Sequence, residues 1–567
     1  MSSASTDDPA LVQRLEDAVS QIHQLKDIFH LPSISFGVLH HGRIILRESL
    51  GHRDLENNLF ASPDTIYPIA SCTKMFTSAA IGLLVDDGKL QWSDRVSKHL
   101  PDFNPRGDPR IAAEADLIDL LRHSTGVACF ANLQFGPREC HLLDAAELIP
   151  LLNQMATVDA EGKQRFNAHW MYNSANFGLA AAIIERVSGQ SYAEFVRSRI
   201  LRPLGMDRTV VTADDIRNED VVCQYTLLSD GATRTRLPTN HWPFQQSISE
   251  LPGSGMGASL NDMLTWCAAV LAAERDEAEP AESTTTSKSQ EGKITLKQMA
   301  RLRRAYWTRP PSDPETSNEA AFGMGWMRMT LPTSMLGAYS GNQASREAPW
   351  ELHLSKDNIL GIESEKRVMI GHTGGAIGGI ATVWTFPETQ SAVCVMVNMR
   401  ALGDASDFAA QVLIQALFDL RPRVDLVAWA SKEAELYRAG LKDNVFNPWT
   451  ANRRASDPKR ECGLYVGEYE AFGGCFTLSI SAAGNGEDAQ LAVTFNHRER
   501  TKMDLAFFKR DTHSFFSGSL DELITELFLY RDYRQTLLEF ELDDAGRVRG
   551  LWWLWSQDEE RAWLRRV

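Results

Sequence analysis

Apolar residues at Leu11, Leu15, Val19, Ile22 and Leu25 recur at helical spacing, so residues 10–29 are predicted to form an amphipathic helix. Two β-rich runs follow, Ile34 to His40 and Arg43 to Ser49, and the short break His41-Gly42 between them predicts a hairpin. Met75 to Val85 is almost wholly apolar and stops at Asp86-Asp87-Gly88, where the glycine reads as a C-cap. Pro68 stands just ahead of this helix, a place where proline is tolerated. From Leu90 to about Ala320 helical periods alternate with polar loops, including Ile118 to Arg122 and Phe177 to Val187, which closes at Gly189. Strand character returns at Arg367 to Gly371, Ile380 to Phe386 and Ala392 to Asn398, followed by helical patterns over 409–420 and 426–441.

Strands at both ends with helices between them predict an α+β fold. One antiparallel sheet is assembled from the two ends, flanked by helices and carrying a large helical insertion. This unit takes in residues 1–445. Within it Glu274 to Lys293 is a low-complexity polar insert, expected to be a disordered surface loop without a role. Residues 446–460 read as a polar link. From 461 to 567 the texture changes to short alternating runs separated by Gly, Asp and Asn turns: 476–481, 491–495, 505–508, 527–530, 536–542, 548–555 and 561–567. That pattern predicts a small, barrel-like all-β domain.

Composition narrows the picture mainly by exclusion. With 43% hydrophobic and 23% charged residues the chain has the make-up of an ordinary soluble globular protein. A formal net charge of −16 argues against non-specific nucleic-acid binding and against docking on anionic membranes. The first residues carry Asp7 and Asp8 and no apolar core, so no secretory signal is expected, and no run of about eighteen apolar residues could span a bilayer. Eight cysteines without a Cys-x-x-Cys pair fit reduced thiols in the cytoplasm better than a disulfide framework or a zinc site. No metal and no cofactor are implied. Oligomeric state is not legible.

The candidate chemistry begins at Ile69-Ala70-Ser71-Cys72-Thr73-Lys74. A serine and a lysine three apart lie on one helix face, and a buried lysine beside a hydroxyl makes a strong nucleophile of it. Ser-x-x-Lys alone is weak, because the chain holds a second instance, Ser456-Asp457-Pro458-Lys459, in polar surroundings with a helix-breaking proline. Two further stretches give Ser71 candidate partners. Tyr172-Asn173-Ser174 places a tyrosine and small polar groups before an apolar helix. Gly371-His372-Thr373-Gly374-Gly375 ends a strand-like run with glycines that let backbone pass close to a ligand. A Gly-x-Ser-x-Gly elbow, a His-Glu-x-x-His helix and a phosphate-binding glycine loop are all missing from the sequence.

In this order the three stretches resemble the serine β-lactamase and penicillin-binding-protein family, in particular its class C and esterase branch, over roughly residues 10–420. Leu120 to Gly126, Arg202 to Met206 and Phe322 to Trp326 are similar to further family stretches, and the C-terminal β domain is similar to a lipocalin-like barrel appended to some members. The resemblance implies a serine hydrolase or acyltransferase that acylates Ser71. Lys74 and Tyr172 would share the proton, and which of them is the base stays open. The N–H groups of Ser71 and Gly375 would form the oxyanion hole. Ser174, His372, Thr373 and Gly374 would bind substrate, with His372 beside the leaving group or a carboxylate. Two departures point away from β-lactams. Ser174 stands where β-lactamases have asparagine, and His372 where they have lysine, and histidine is mostly neutral at pH 7. The expected substrate is a small-molecule, peptide or polyketide acyl compound, an ester, thioester or amide of a secondary metabolite. Alternatives are a D-amino-acid-type peptidase or peptide cyclase, a true β-lactamase, and a non-catalytic binding or assembly protein.

Overall fold

The hairpin Ser33–His40 and Arg43–Asp54 forms one end of a nine-stranded antiparallel sheet. Its order is 59–60, 43–54, 33–40, 391–397, 379–386, 367–376, 327–331, 320–322 and 307–309. The N-terminal strand Ser33–His40 thus pairs directly with Ser391–Val397, Phe36 opposite Val395, and the sheet is assembled from the two ends as the patterning requires. The computed structural model describes residues 8–159, 161–216, 220–237, 249–278, 296–309, 318–333, 342, 359–376, 378–484, 489–527, 530–556 and 561–567.

Alternation along the central strands sorts the core. Ile34, Phe36, Val38, Val393, Val395 and Val397 share one apolar cluster with the helices Pro9–Ile28 and Ala405–Phe418. Their neighbours Ala392, Cys394 and Met396 belong to the opposite cluster, with the helices Thr73–Asp86, Ala175–Ser188 and Leu260–Ala278. Both faces are therefore covered, which is why Ser391–Val397 is buried at every position. The helix Thr73–Asp86 runs through the middle of the second layer, buried from Thr73 to Leu84, and ends as expected: Gly88 has φ +71° and Lys89 N–H returns to Leu84 O at 2.9 Å.

A second nine-stranded antiparallel sheet occupies the C-terminal part. Its order is 503–504, 490–495, 476–483, 467–471, 561–566, 548–554, 537–542, 512–514 and 506–509. The two outermost strands are consecutive in the chain with only Leu505 between them, so the sheet must curl until its edges nearly meet, a barrel-like form.

Several expectations need correction. The run at 527–530 is not a strand where it is described: Leu527 and Tyr530 are buried beside the short helix Leu520–Thr525, and 528–529 lie outside the described residues. Gly467–Ala471 and Thr512–Ser514 are strands that the patterning missed, because each exposes too few apolar residues to show alternation. Residues 447–452, within the expected polar link, form a helix whose Trp449 is buried in the second sheet's core and donates its indole N–H to Ser514 Oγ at 3.0 Å. The polar insert also begins later than expected. The helix continues to Ala278, and Glu274 pairs with the fully buried Arg303 at 2.8 Å, while 279–295 lie outside the described residues. No helix among the described residues is long and apolar enough to cross a membrane.

Candidate active site

Ser71 sits in a one-turn 3-10 segment, Ala70–Cys72, and the α-helix begins only at Thr73. Ala70 has φ +42°, a left-handed conformation that costs an L-residue on the order of 1–2 kcal/mol. Surrounding contacts hold it. The short strand Ile66–Pro68 pairs with Gly257–Ser259, Ile69 N–H donates to Met256 O at 3.0 Å, and Met256 N–H donates to Thr73 Oγ1 at 3.1 Å. From the other side Cys72 Sγ donates to His372 O at 3.3 Å.

The strand Arg367–Ala376 supplies that other side. Its partner Met327–Leu331 reaches only as far as Gly371, so His372 to Ala376 leave that edge unpaired by a strand, and the Ser71 turn lies against them. Gly374 is what permits the approach: a Cβ there would lie 2.1 Å from Ile69 O and 2.8 Å from Ser71 N. The next residue, Gly375, is exposed at the mouth, where a Cβ would come within 3.2 Å of Arg400 Nη1.

Lys74 is wholly buried one turn along from Ser71. Its Nζ donates to Ser71 Oγ at 3.2 Å, to Ser174 Oγ at 2.9 Å and to Gly253 O at 2.8 Å. Three acceptors match the three protons of an ammonium. The longest of these bonds goes to Ser71; when Nζ loses a proton either hydroxyl can donate to it in return, whereas the Gly253 carbonyl only accepts. Burial pushes the Lys74 pKa down, while the carboxyl of Glu250 pulls it back up. Tyr172 lies close by, with Lys74 Nζ 4.8 Å from its ring centroid. Burial drives its phenol well above the ordinary range, and a hydrogen bond with Ser71 only partly opposes this.

The Tyr172 loop is clamped by His123-Ser124-Thr125-Gly126. Met171 N–H donates to His123 O and Asn173 N–H to His123 Nδ1, each at 3.0 Å, and Asn173 Nδ2 donates to the carbonyls of Val127 and Ala128. The His123 ring lies 4.5 Å from that of Tyr172, tilted by 33°, and Phe322 closes the cluster 6.3 Å from Tyr172 and 6.0 Å from His372.

His372 is brought to this cluster rather than to the open mouth. It is fully buried, its ring centroid is 6.2 Å from that of Tyr172, and its Nδ1 bonds Thr373 O at 2.5 Å. A carbonyl only accepts, so the proton is on Nδ1 and Nε2 keeps its lone pair. Burial lowers the His372 pKa to about 3, so the ring is neutral. Thr373 faces Thr382 across the strand pair and is buried. The second Ser-x-x-Lys differs throughout: Ser456 and Lys459 are exposed, with Lys459 Nζ lying 5.4 Å over Phe507.

Glu250 was not legible as a site residue. It is 1% exposed, accepts a hydrogen bond from Gln134 Nε2, and stands just ahead of the short helix Leu251–Ser254 that presents Gly253 O. A Cβ on Gly253 would meet Ser174 O at 3.2 Å and Glu250 Oε2 at 3.4 Å, so carboxyl, serine and lysine crowd one point. Burial raises the Glu250 pKa against the pull of Lys74. The ionised carboxylate favours the Lys74 ammonium. Glu250→Gln is therefore expected to move the rising limb of kcat/KM, which reports the neutral amine, to lower pH. A pH–rate profile checks this, and an unmoved limb would separate Glu250 from Lys74.

Comparison with known proteins follows the same lines. Residues 19–417 match the model of the family described as Beta-lactamase. Over 242 residues, 42% of the chain, it is 27% identical to the protein flp of Staphylococcus aureus (strain MW2), of which this covers 45%. Over 170 residues, 30% of the chain, it is 28% identical to penicillin-binding protein 4* of Bacillus subtilis (strain 168), of which this covers 36%. The chain thus spans less than half the length of these curated relatives. Among solved structures, the octameric penicillin-binding protein homologue from Pyrococcus abyssi aligns with 97% of this chain and 99% of its own, at TM-score 0.50 and 18% identity. A beta-lactamase from Sulfitobacter sp. EE-36 aligns with 73% of this chain and 99% of its own, at TM-score 0.52 and 18% identity. At such identities the likeness is one of fold.

Proposed function

The chain belongs to the beta-lactamase family over residues 19–417, and from that premise we propose that it is a serine hydrolase or acyltransferase acting on an ester, thioester or amide through an acyl-enzyme on Ser71. The observation that carries this reading is the buried Lys74 amine at 3.2 Å from Ser71 Oγ, held by Ser174 and Gly253. Lys74 is the group poised as base. Its pKa is lowered by burial, whereas burial holds the Tyr172 phenol protonated at neutral pH.

In the proposed reaction neutral Lys74 takes the Ser71 proton as Oγ attacks the carbonyl carbon. The N–H groups of Ser71 and Gly375 receive the oxyanion, a contribution of roughly 10²–10³ in rate for each donor. The tetrahedral intermediate then expels an alcohol, thiol or amine, protonated by Lys74 directly or through Tyr172. Water or another acceptor, losing its proton to Lys74, releases the acyl group and restores Ser71. None of the eight cysteines is in a disulfide, which supports a reducing compartment such as the cytoplasm.

The neutral His372 supports an uncharged substrate, since no fixed lysine charge stands at that place. Simple neutral esters are expected to be turned over much faster than penicillins, measured as kcat/KM on the same preparation. A second reading, a substrate bearing a carboxylate such as a β-lactam or D-peptide, is favoured by the Arg400 guanidinium beside Gly375. Under that reading the order of rates reverses and Arg400→Met raises KM for penicillins alone. Intact-mass labelling with a fluorophosphonate, a β-lactam and an acyl thioester tests the nucleophile and the acyl donor together. A wild-type protein that none of the three modifies at Ser71 overturns the assignment.

A further inference from the structure

A cavity of about 320 Å³ opens beside Tyr172, between loops of the β-lactamase-like part and the C-terminal part. Asn132, Trp170, Met171 and Tyr172 line it from the β-lactamase-like part, and Trp555 and Ser556, at the end of the strand Val548–Leu554, line it from the C-terminal barrel. This contact is built rather than incidental. Asn132 is 3% exposed, and its Nδ2 donates to Trp555 O at 2.8 Å. Trp555 is itself 3% exposed and packs edge-on to Phe472 at 5.9 Å.

The segment that carries Asn132 is fastened to the barrel along its length. Arg138 N–H donates to Glu526 O at 2.6 Å, and its guanidinium bonds Arg500 O at 2.7 Å and Glu526 Oε2 at 2.8 Å. Asn496 Nδ2 donates to Leu142 O at 2.8 Å, and Arg498 pairs with Asp144 at 3.0 Å. The barrel is therefore held in register with the Tyr172 loop, and its Trp555 is a fixed part of the cavity wall.

We propose that the C-terminal barrel completes the substrate pocket, with Trp555 and Ser556 forming the wall beside Tyr172, and that this pocket receives a compact aromatic group of the acyl substrate. The proposal rests on Ser71 being the nucleophile. The chemistry follows from the walls. Three aromatic residues, Trp170, Tyr172 and Trp555, line a cavity at the lower end of the roughly 300–1,000 Å³ typical of ligand sites. Flat rings pack best against such walls, in offset or edge-on contact. The three aromatic walls, rather than the volume, favour a ring over an aliphatic chain, and an acetyl group would leave those walls uncovered. Position alone allows the ring on either side of the scissile carbonyl, so both are tested.

The experiment uses the full chain and follows ester cleavage by pH-stat with methyl phenylacetate, benzyl acetate and ethyl acetate. In the wild type, one or both aromatic esters should exceed ethyl acetate in kcat/KM. Trp555→Ala should lower kcat/KM for the preferred aromatic ester about tenfold, mainly through KM, and leave ethyl acetate within about twofold. Ser556→Leu fills the cavity from the opposite direction. It should exclude the aromatic ester and spare ethyl acetate, and it decides the matter if Trp555→Ala does not fold. An unchanged ratio of aromatic to ethyl ester in the folded variants overturns the pocket assignment. Labelling of the wild type with the fluorophosphonate, the β-lactam and the acyl thioester separates the two failures: Ser71 labelled by any of them with an unchanged ratio overturns this inference alone, whereas Ser71 labelled by none overturns the proposed function with it.

Discussion

Ser71→Ala is expected to lower kcat by a factor on the order of 10⁵–10⁶ while leaving the fold in place. The argument for the loss is that the acyl-enzyme has no other oxygen to form on. Ser174 is the other hydroxyl on Lys74, at 2.9 Å, but the N–H groups proposed to receive the oxyanion are those of Ser71 and Gly375, on the turn and strand edge that pack together at Gly374. The argument for an intact fold is local. Ser71 is half-buried at a turn whose backbone is held by Ile69, Cys72 and Thr73, and its side chain accepts one of three Lys74 protons that water can take over. The check is turnover of a neutral ester, intact mass after fluorophosphonate treatment, and the thermal midpoint. Variant turnover near the wild-type rate would falsify the assignment.

Lys74→Met should reduce the rate of Ser71 acylation by about 10²–10⁴, the usual worth of a general base, which corresponds to roughly 2.7–5.5 kcal/mol of barrier. Methionine matches the lysine stem in shape, so Ser174, Gly253 and the helix keep their places while the proton acceptor is gone. Tyr172→Phe should cost less, since its raised pKa suits proton relay better than abstraction. Single-turnover acylation of the two variants decides between them, and a larger loss in Tyr172→Phe would exchange the roles.

Lys74→Met carries a stability signature as well. Burial already holds the Glu250 carboxyl above its ordinary pKa, and without Lys74 only the hydrogen bond from Gln134 offsets the cost of its charge. A carboxyl whose folded pKa is raised contributes stability at low pH, below the unfolded value. That contribution is lost as pH rises toward the folded value, because the unfolded chain ionises first. The wild-type carboxyl is already raised to about 7, so the variant should go on losing thermal stability above about pH 7, where the wild-type curve has levelled. Parallel pH dependences in the two proteins would mean that Glu250 and Lys74 do not interact.

Much of the fold was legible because its cues are short in range. Short β-rich runs marked strands at 34–40, 43–49, 367–371, 380–386 and 392–398, and helical patterns marked helices at 10–29, 177–187 and 426–441. Each lies within a few residues of the observed bounds except the second strand, which runs on to Asp54, and the first strand of the later group, which runs on to Ala376. Glycine conformations at Gly88 and Gly189 marked helix ends, since φ +71° and +73° there suit a residue without Cβ. The failures share a cause. Trp449 reads as part of a polar link until a separate sheet buries it, and Glu274 reads as solvated until Arg303 is folded against it.

The candidate site divides in the same way. The sequence by itself determined that Ser71 and Lys74 stand one turn apart, since three residues is a local distance whether the turn is 3-10 or α. It also marked the Tyr172 and His372 stretches by their residue types. Only the tertiary structure decided that Gly253 O and Ser174 take the other two protons of Lys74, across 179 and 100 positions of chain. It alone placed Glu250 beside that amine, buried His372 as a neutral ring, and set Trp555 at the cavity next to Tyr172. The physical reason is that a buried amine's pKa and a pocket's walls depend on what packs around them. That packing is made by segments with no periodic or short-range relation to one another, so it exists only once the two sheets and the helices between them have closed.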